Sequence, residues 1–319
     1  MRVHALTTRD RRVGGEWTAP QQVKNTLIVW LVRALLAVVD RVPPRVLVPL
    51  GGALGWLTGV VTPTTRRTTA RDLSRVLQRE TPTALRCYTR AGENLALCLL
   101  LRRPSIAARE LVAFDPESER ELRSVLSRGR GCVFVSAHVG PFEAVAALVA
   151  ELGLDPAVVV RESYDARLDP IVDAHRIGRG VEVIHRGRPG AAARLLRALR
   201  QGRPVGILPD LGGRVASEPA ELCGQRVDWP IGPQRVALRT GAPVIVGVLE
   251  RTTSHGPLPR FRLVLKEVSA GNEVDLTQRV TNAVSSAILR SPADWLWMSG
   301  RFSTPPSLNG SLHKNTRKR

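Results

Sequence analysis

The sequence predicts an α/β fold, a mainly parallel sheet covered by helices on both faces, with an apolar helical segment ahead of it suited to a membrane. Three observations lead there. From residue 118 onward, short apolar runs alternate with helix-like stretches. Several of the runs end in a residue able to do chemistry, at the edge where ligands of open α/β sheets sit. Before the alternation begins, two apolar runs, Leu27 to Val39 and Val46 to Val61, are flanked by Arg41, Arg45, Arg66, Arg67 and Arg71.

Taken in order, residues 1–26 are polar and basic and read as loosely ordered. The Leu27 to Val39 run is broken only by Arg33. A helix over it rises about 20 Å, against about 30 Å of hydrocarbon core. Pro43-Pro44 separates it from the glycine-rich second run, which holds Trp56. Short apolar helices with basic flanks suit a segment lying in or dipping into a membrane interface; a single tilted span and a helical layer of a soluble core are the alternatives. No A-x-A-like site follows a short n-region, so a removed signal peptide is not expected. Residues 83–101 read as a helix with an apolar stripe through Leu95 and Leu99. The expected strands are 131–136, 156–160, 181–184, 205–209 and 243–249, with 261–268 as an antiparallel edge. The expected helices are 118–128, 141–152, 168–178, 189–201, 231–240 and 275–289. Pro189 starts one and Gly202 ends one, as their backbone preferences require.

Charge is the compositional anomaly. The 319 residues carry a net +19, and of 47 basic residues only Lys24, Lys266, Lys314 and Lys318 are lysine. Arginine-favouring codons account for part of this. The shortage of acids points to an anionic partner: lipid head groups, phosphates, an acidic carrier protein or nucleic acid. Few aromatics and no nucleic-acid motif argue against the last. Cys87, Cys98, Cys132 and Cys223 form no CxxC pair, so neither a metal site nor a disulfide framework is expected, consistent with a reducing cytoplasm. No G-x-S-x-G elbow, P-loop or HExxH occurs, and Gly51-Gly52-Ala53-Leu54-Gly55 follows no strand, so it is not a dinucleotide loop.

The chemistry concentrates in Gly131 to Glu143. A buried strand ends at His138, and Gly140-Pro141 opens a helix with Glu143 in its first turn. Glu143 is placed to accept a hydrogen bond from one ring nitrogen of His138, leaving the other as a base. That is triad logic without the serine, suited to direct attack by a substrate hydroxyl. A histidine satisfied by a strand-end carbonyl and an ordinary helix-start acid would give the same spacing. Arg161 ends the next strand, where an arginine can clamp a phosphate or simply be solvated. Asp210 ends Val205-Gly206-Ile207-Leu208-Pro209, placed to orient an arginine or a substrate hydroxyl, or to serve a turn. Arg194, Arg197 and Arg200 share a helix face, more often solvated than functional.

Together these residues resemble the lysophospholipid acyltransferase superfamily, in the branch of bacterial lipid A late acyltransferases and phosphatidylinositol mannoside acyltransferases. His138 to Glu143 fits the family's H-x4-D/E motif. Arg161, Asp169-Pro170 and the Arg176 to Val183 stretch resemble the second block. Ala198 to Gly202 through Gly206 to Asp210 resembles the third, and Gly232-Pro233 through Val244 the fourth. Ser291 to Met298 resembles the closing motif. The match runs from about residue 27 to 303. Three departures stand out: Leu211 where the family usually has glutamine, Cys223-Gly224 where an aromatic-Gly pair is common, and Ser299-Gly300 in place of His-Arg. The last leaves Arg301 to carry over the terminal arginine.

The resemblance implies a glycerolipid acyltransferase-like fold. It implies transfer of a fatty acyl chain from an acyl carrier protein or coenzyme A thioester to a hydroxyl of a membrane glycolipid, foremost in lipid A (lipopolysaccharide) biosynthesis. A phosphatidylinositol mannoside or lysophospholipid acceptor is the alternative. No cofactor or metal is implied. His138 and Glu143 are the expected catalytic residues, the second holding the imidazole of the first. Backbone N–H groups near Phe142, or Arg161, are the expected oxyanion donors. Arg161, Arg176, Asp210 and Arg301 are expected to bind substrate. The expected divisions are a basic flexible N-terminus (1–26), apolar membrane-associating helices (27–66), the α/β acyltransferase domain (67–303) and a basic tail (304–319). The expected location is the cytoplasmic face of the bacterial inner (plasma) membrane, peripheral or single-pass.

Overall fold

Cys132 and Phe134 pack into one hydrophobic cluster and Val133 and Val135 into another, so the strand they form is covered on both faces. The computed structural model describes residues 15–77, 83–213, 215–253, 258 and 260–303. The elements are α1 (Ala19–Val39), α2 (Pro44–Val61), α3 (Pro63–Leu77), α4 (Ala84–Leu100), α5 (Ala108–Leu111), β1 (Val112–Phe114), α6 (Pro116–Leu126), β2 (Cys132–Val135), α7 (Glu143–Glu151), β3 (Ala157–Arg161), α8 (Asp169–Ile177), β4 (Glu182–Arg186), α9 (Ala191–Arg200), β5 (Pro204–Ile207), β6 (Ser217–Leu222), β7 (Gln225–Pro230), α10 (Gly232–Thr240), β8 (Val244–Arg251), β9 (Phe261–Val268) and α11 (Glu273–Arg290). Two 3₁₀ turns, Pro292–Asp294 and Trp297–Ser299, follow. The expected tail lies outside the described residues.

Seven strands form one sheet in the order β1-β9-β8-β2-β5-β3-β4, and β6–β7 is a separate hairpin. Every pairing in the large sheet is parallel except β8 with β9. The expected α/β architecture is therefore the observed one. The antiparallel strand 261–268 is also found, but it is not the edge: β1 pairs outside it, with Val112 opposite Phe261. At three residues β1 is too short to carry a readable period. One cluster joins α3, α9, α10 and α11 to one face of the sheet, and the other joins α6 and α7 to the opposite face.

The first helix starts at Ala19, earlier than its apolar run and inside the stretch read as loosely ordered. Pro20 suits a first helical turn, and Gln21 Oε1 accepts the Thr18 amide at 2.9 Å. The resulting 21 residues rise about 31 Å, enough by length to cross a bilayer. The α1 and α2 helices both pass that test of length and composition, with 22% of each apolar window buried. Trp30, Leu31, Leu54, Trp56 and Leu57 are exposed on them.

The glycines of α2 serve its packing on α4. A Cβ at Gly51 would lie 2.6 Å from the Gly92 carbonyl oxygen and 2.8 Å from Ala96 Cβ; one at Gly55 or Gly92 would also strike facing backbone. The two helix backbones thus touch, and neither can yield to a side chain. Gly92→Leu is expected to lower stability by about 1–3 kcal/mol through overpacking. Leu95→Ala, at an exposed position on the same helix, should leave stability within about 0.5 kcal/mol of wild type. Denaturant unfolding in detergent followed by circular dichroism measures both.

Candidate active site

The four neighbouring parallel strands β2, β5, β3 and β4 deliver their chemistry to one edge. Beyond β2 comes His138, beyond β5 Asp210, at the end of β3 Arg161 and at the end of β4 Arg186. Because β5 lies beside β2, Asp210 reaches His138. Its Oδ1 is 2.8 Å from His138 Nδ1, and its Oδ2 accepts the His138 backbone N–H at 2.9 Å. Trp295 Nε1 donates to the same Oδ2, also at 2.9 Å. Asp210 is wholly buried. Burial alone would push its carboxyl pKa up, but the His138 charge and these hydrogen bonds hold it below the ordinary value. Burial pulls the His138 imidazole down, while the charge of Asp210, its hydrogen bond and, more distantly, Glu143 raise it, with a net rise. Assigning Nδ1 as the proton donor to Asp210 leaves Nε2 as the base.

This corrects the expected pairing. Glu143 does not hold His138; its carboxylate takes two hydrogen bonds from Arg176, Nε at 2.9 Å and Nη2 closer, with His175 Nε2 at 3.4 Å. Burial raises Glu143, but the Arg176 and His175 bonds outweigh it and bring the pKa to about 2. Arg176, expected at the substrate, is spent on Glu143 and on Asp173 (3.3 Å). Asp173 in turn bonds His185 Nε2 at 2.5 Å. Asp210, also expected at the substrate, has both oxygens engaged within the protein. Arg301 donates to the Asp228 carbonyl at 2.7 Å and lies against Gly212. Arg161 stands exposed at its strand end, as expected. The Phe142 amide, an expected oxyanion donor, is already bonded to the Gly140 carbonyl at 2.9 Å.

The turn that carries His138 is held from the far end of the chain. Val139 bridges Trp295, and Gly140 N–H donates to the Asp294 carbonyl at 3.0 Å. Gly140 has φ +63°, and a Cβ there would meet Phe261 at 2.8 Å, so glycine is required twice over. Asp294 is fixed by Arg251 Nε (3.0 Å) and by Asn94 Nδ2 (3.2 Å), which ties α4 and β8 to the same turn. Phe142 packs edge-on to the His138 ring at 4.6 Å. These supports went unread in the sequence, although the Trp295 to Trp297 segment had marked itself as part of the closing motif.

A cavity of about 310 Å³ opens at His138 and Arg161 and runs along the strands under α7, past Val145, Val158 and Gly206 to Val149 and Pro204. No group of three or more potential metal ligands occurs among the described residues. Burial pushes all four cysteine thiols up to about 12, so none offers a thiolate near neutral pH.

A histidine base with its orienting carboxylate, at the mouth of an apolar cavity and without a protein nucleophile, fits acyl transfer between two substrates. Residues 19–304 match the bacterial lipid A biosynthesis acyltransferase family. The chain belongs to that family. It is therefore an acyltransferase, and His138, Arg161 and Asp210 of the motifs quoted above meet at one edge of its sheet. Comparison with curated proteins gave no match.

The Glu143–Arg176 pair is a buried ion pair, and removing one partner strands the other. Arg176→Met is expected to cost about 3–5 kcal/mol of stability. Adding Glu143→Gln in the same chain should recover most of that loss. Denaturant titrations of wild type, both single variants and the double variant measure the coupling.

Proposed function

We propose that this protein transfers a fatty acyl chain from a thioester, carried by acyl carrier protein or coenzyme A, to a hydroxyl of a membrane glycolipid of the lipid A type. The observation that carries the reading is the His138–Asp210 pair at the mouth of the cavity under α7. The acyl chain occupies the cavity and places its thioester carbonyl by His138. Nε2 of His138 takes the proton of the acceptor hydroxyl, and the oxygen attacks the carbonyl carbon. The tetrahedral intermediate collapses, the C–S bond breaks, and the thiolate leaves with the proton returned by the imidazolium. Asp210 fixes the tautomer and stabilises the imidazolium. Glu143 adds negative potential from a distance and fixes α7 against α8. The oxyanion needs a donor, and Arg161, which lines the same cavity as His138, can supply one. The α1 and α2 helices hold the enzyme at the membrane interface, on the cytoplasmic side where thioester donors are made.

Thiol release from acyl carrier protein and coenzyme A thioesters, with extracted bacterial lipid as acceptor, tests this directly. Wild type should show acceptor-dependent release and His138→Ala should lose it while remaining folded. Fractionating the lipid identifies the acceptor. Undiminished transfer by His138→Ala would sink the scheme.

The acid limb of the pH profile is a second test. His138 accepts a proton only when neutral, so activity should rise with pH through a midpoint above the usual histidine value of about 6.5. Asp210→Asn removes the main charge that raises it. The midpoint should then move down and the plateau should fall by a factor on the order of 10²–10⁴. An unmoved midpoint would assign the titration to another group.

A further inference from the structure

The α2 helix has two faces of opposite use. Its glycines are turned to α4: a Cβ added at Gly52 would lie 3.1 Å from Glu93 Cγ, and one at Gly59 2.9 Å from Tyr88 Cγ. The two helices therefore run antiparallel and in contact for about two turns. On the opposite side of α2, Val46, Leu50, Leu54, Leu57 and Val61 are exposed. The α4 helix belongs to the catalytic body, since Leu97 and Leu100 pack in the cluster that covers the sheet and Asn94 bonds Asp294. Beside Gly52 it carries Glu93, paired with Arg90 at 2.6 Å. An α2 that crossed a bilayer would either leave this partner or draw Arg90, Glu93 and Asn94 into hydrocarbon, where such groups are costly.

Charge is the second observation. Residues 41–77 hold six arginines and one acid, Asp72. Asp72 is buried, accepts the Ser303 hydroxyl at 2.9 Å and feels the charges of Arg75 and Arg71 without bonding either. Arg67, Arg71 and Arg75 are exposed and four residues apart, so they form one row along α3, away from its buried side of Thr69, Leu73 and Val76. Among the described residues none of the three is in a salt bridge. An α2 that crossed would put Arg41 and Arg45 on one side of the membrane and this row on the other. An α2 lying along the surface puts both on the same head groups.

We propose that α2 lies flat in one leaflet, with its Val46 to Val61 row among the acyl chains and the Arg67, Arg71 and Arg75 row of α3 on the head groups of anionic phospholipids. The occupant is a bilayer surface. An exposed apolar row next to a basic row without exposed acids matches hydrocarbon beneath phosphate, and a second apolar row, Leu27, Leu31, Leu35 and Val38, is exposed on α1. The inference rests on the proposed function for the membrane as the place of work. It adds the posture of the helix and the class of lipid, and it does not depend on acyl transfer. Each arginine at an anionic surface is worth about fivefold in partition, so the row supplies on the order of a hundredfold.

Two measurements on the full chain test it. Posture is read with Arg45→Cys and Ser74→Cys, at exposed positions on either side of the apolar row. Spheroplasts and inverted membrane vesicles carrying each variant are treated with a membrane-impermeant maleimide. The four native cysteines are buried and give the unreactive background. Both new thiols should react from the same side of the membrane; reaction from opposite sides overturns the flat posture. Lipid class is read by flotation of the purified protein with phosphatidylcholine vesicles, with and without phosphatidylglycerol. Wild type should favour the anionic vesicles by on the order of a hundredfold, and added salt should narrow the difference. Arg67→Gln/Arg71→Gln/Arg75→Gln should lose the preference. Arg197→Gln/Arg200→Gln/Arg239→Gln, the same loss of charge at exposed positions of α9 and α10, should keep it. The corresponding triple lysine variant of the α3 row should restore the preference, because a point charge suffices at a head-group surface, and so separates lost charge from a folding defect. Equal loss in the two triple glutamine variants, or no preference in wild type, overturns the arginine row. Failure of wild type to transfer any acyl group would count against the proposed function and leave the labelling and flotation results to stand on their own.

Discussion

Everything at the reacting edge hangs on one buried carboxylate. Asp210 has no solvent exposure, and an ionised carboxylate in such a place survives only if its lone pairs are met. Three donors meet them: the ring and the backbone of His138, and the indole of Trp295. Acceptor and donors come from three distant parts of the chain, so satisfying one charge fixes the end of β5, the turn after β2 and the closing segment at once. On the proposed reading, the bond that orients the histidine as a base is also one of those that meet this buried charge. The linkage has a sign. Asp210, held below its ordinary value, stabilises the fold above that value and ceases to as pH falls through its folded pKa. His138, raised above its ordinary value, stabilises most below it and loses that contribution as pH rises through the folded pKa. The pair is therefore tightest where the histidine is protonated and cannot act as a base, and it relaxes slightly as the base form appears.

The site holds two carboxylates with different tasks. Asp210 touches the base. Glu143 is the head of a second buried network that runs through Arg176 and Asp173 to His185 and pins α8 against α7 and β4. Since α7 roofs the cavity, this network sets the width of the cavity and leaves a fixed negative charge within electrostatic reach of His138. A carboxylate that works by position and potential tolerates replacement differently from one that works by contact.

Much of this was legible in the chain, for reasons that also explain the gaps. The strands of the parallel sheet read clearly because they are short β-branched runs closed by glycine, proline or a charged residue, and β2, β3 and β5 lie close to their expected spans. That His138, Arg161 and Asp210 share an edge follows from parallel strands alone. Which carboxylate serves the histidine does not follow from them. Glu143 is near in sequence, whereas Asp210 becomes a neighbour only because β5 inserts between β2 and β3, an order no local pattern encodes. Arg176 looked like a ligand residue because nothing in its own helix shows that Glu143 lies opposite. Of the arginines at that edge, Arg161 stood out at its strand end, whereas Arg186 becomes its neighbour only through the register of β3 and β4. The glycines of α2, correctly denied a nucleotide role, acquire their reason from a helix that follows them at a distance and presses against their backbone.

A line of contacts runs from the apolar helices to the base. The α2 helix meets α4 backbone to backbone at Gly51 and Gly92. Asn94, two residues further along α4, bonds Asp294, whose carbonyl holds the Gly140 turn and whose neighbour Trp295 holds Asp210. The α1 helix is tied on differently, through Thr26 to Arg167 at 3.0 Å and, just ahead of the helix, through Trp17 against Tyr164, with Arg167 and Tyr164 both in the loop that follows Arg161. The two helices are thus linked to the site by different routes, α2 through α4 and Asp294 to the His138 turn, and α1 through the loop that follows Arg161. On the proposed reading this arrangement suits the chemistry. With no protein nucleophile, water at the site would hydrolyse the thioester, so transfer depends on a lipid hydroxyl reaching the base in its place. Apolar helices linked to the site keep it where lipid is concentrated, and Phe142 against the imidazole limits the room left for water.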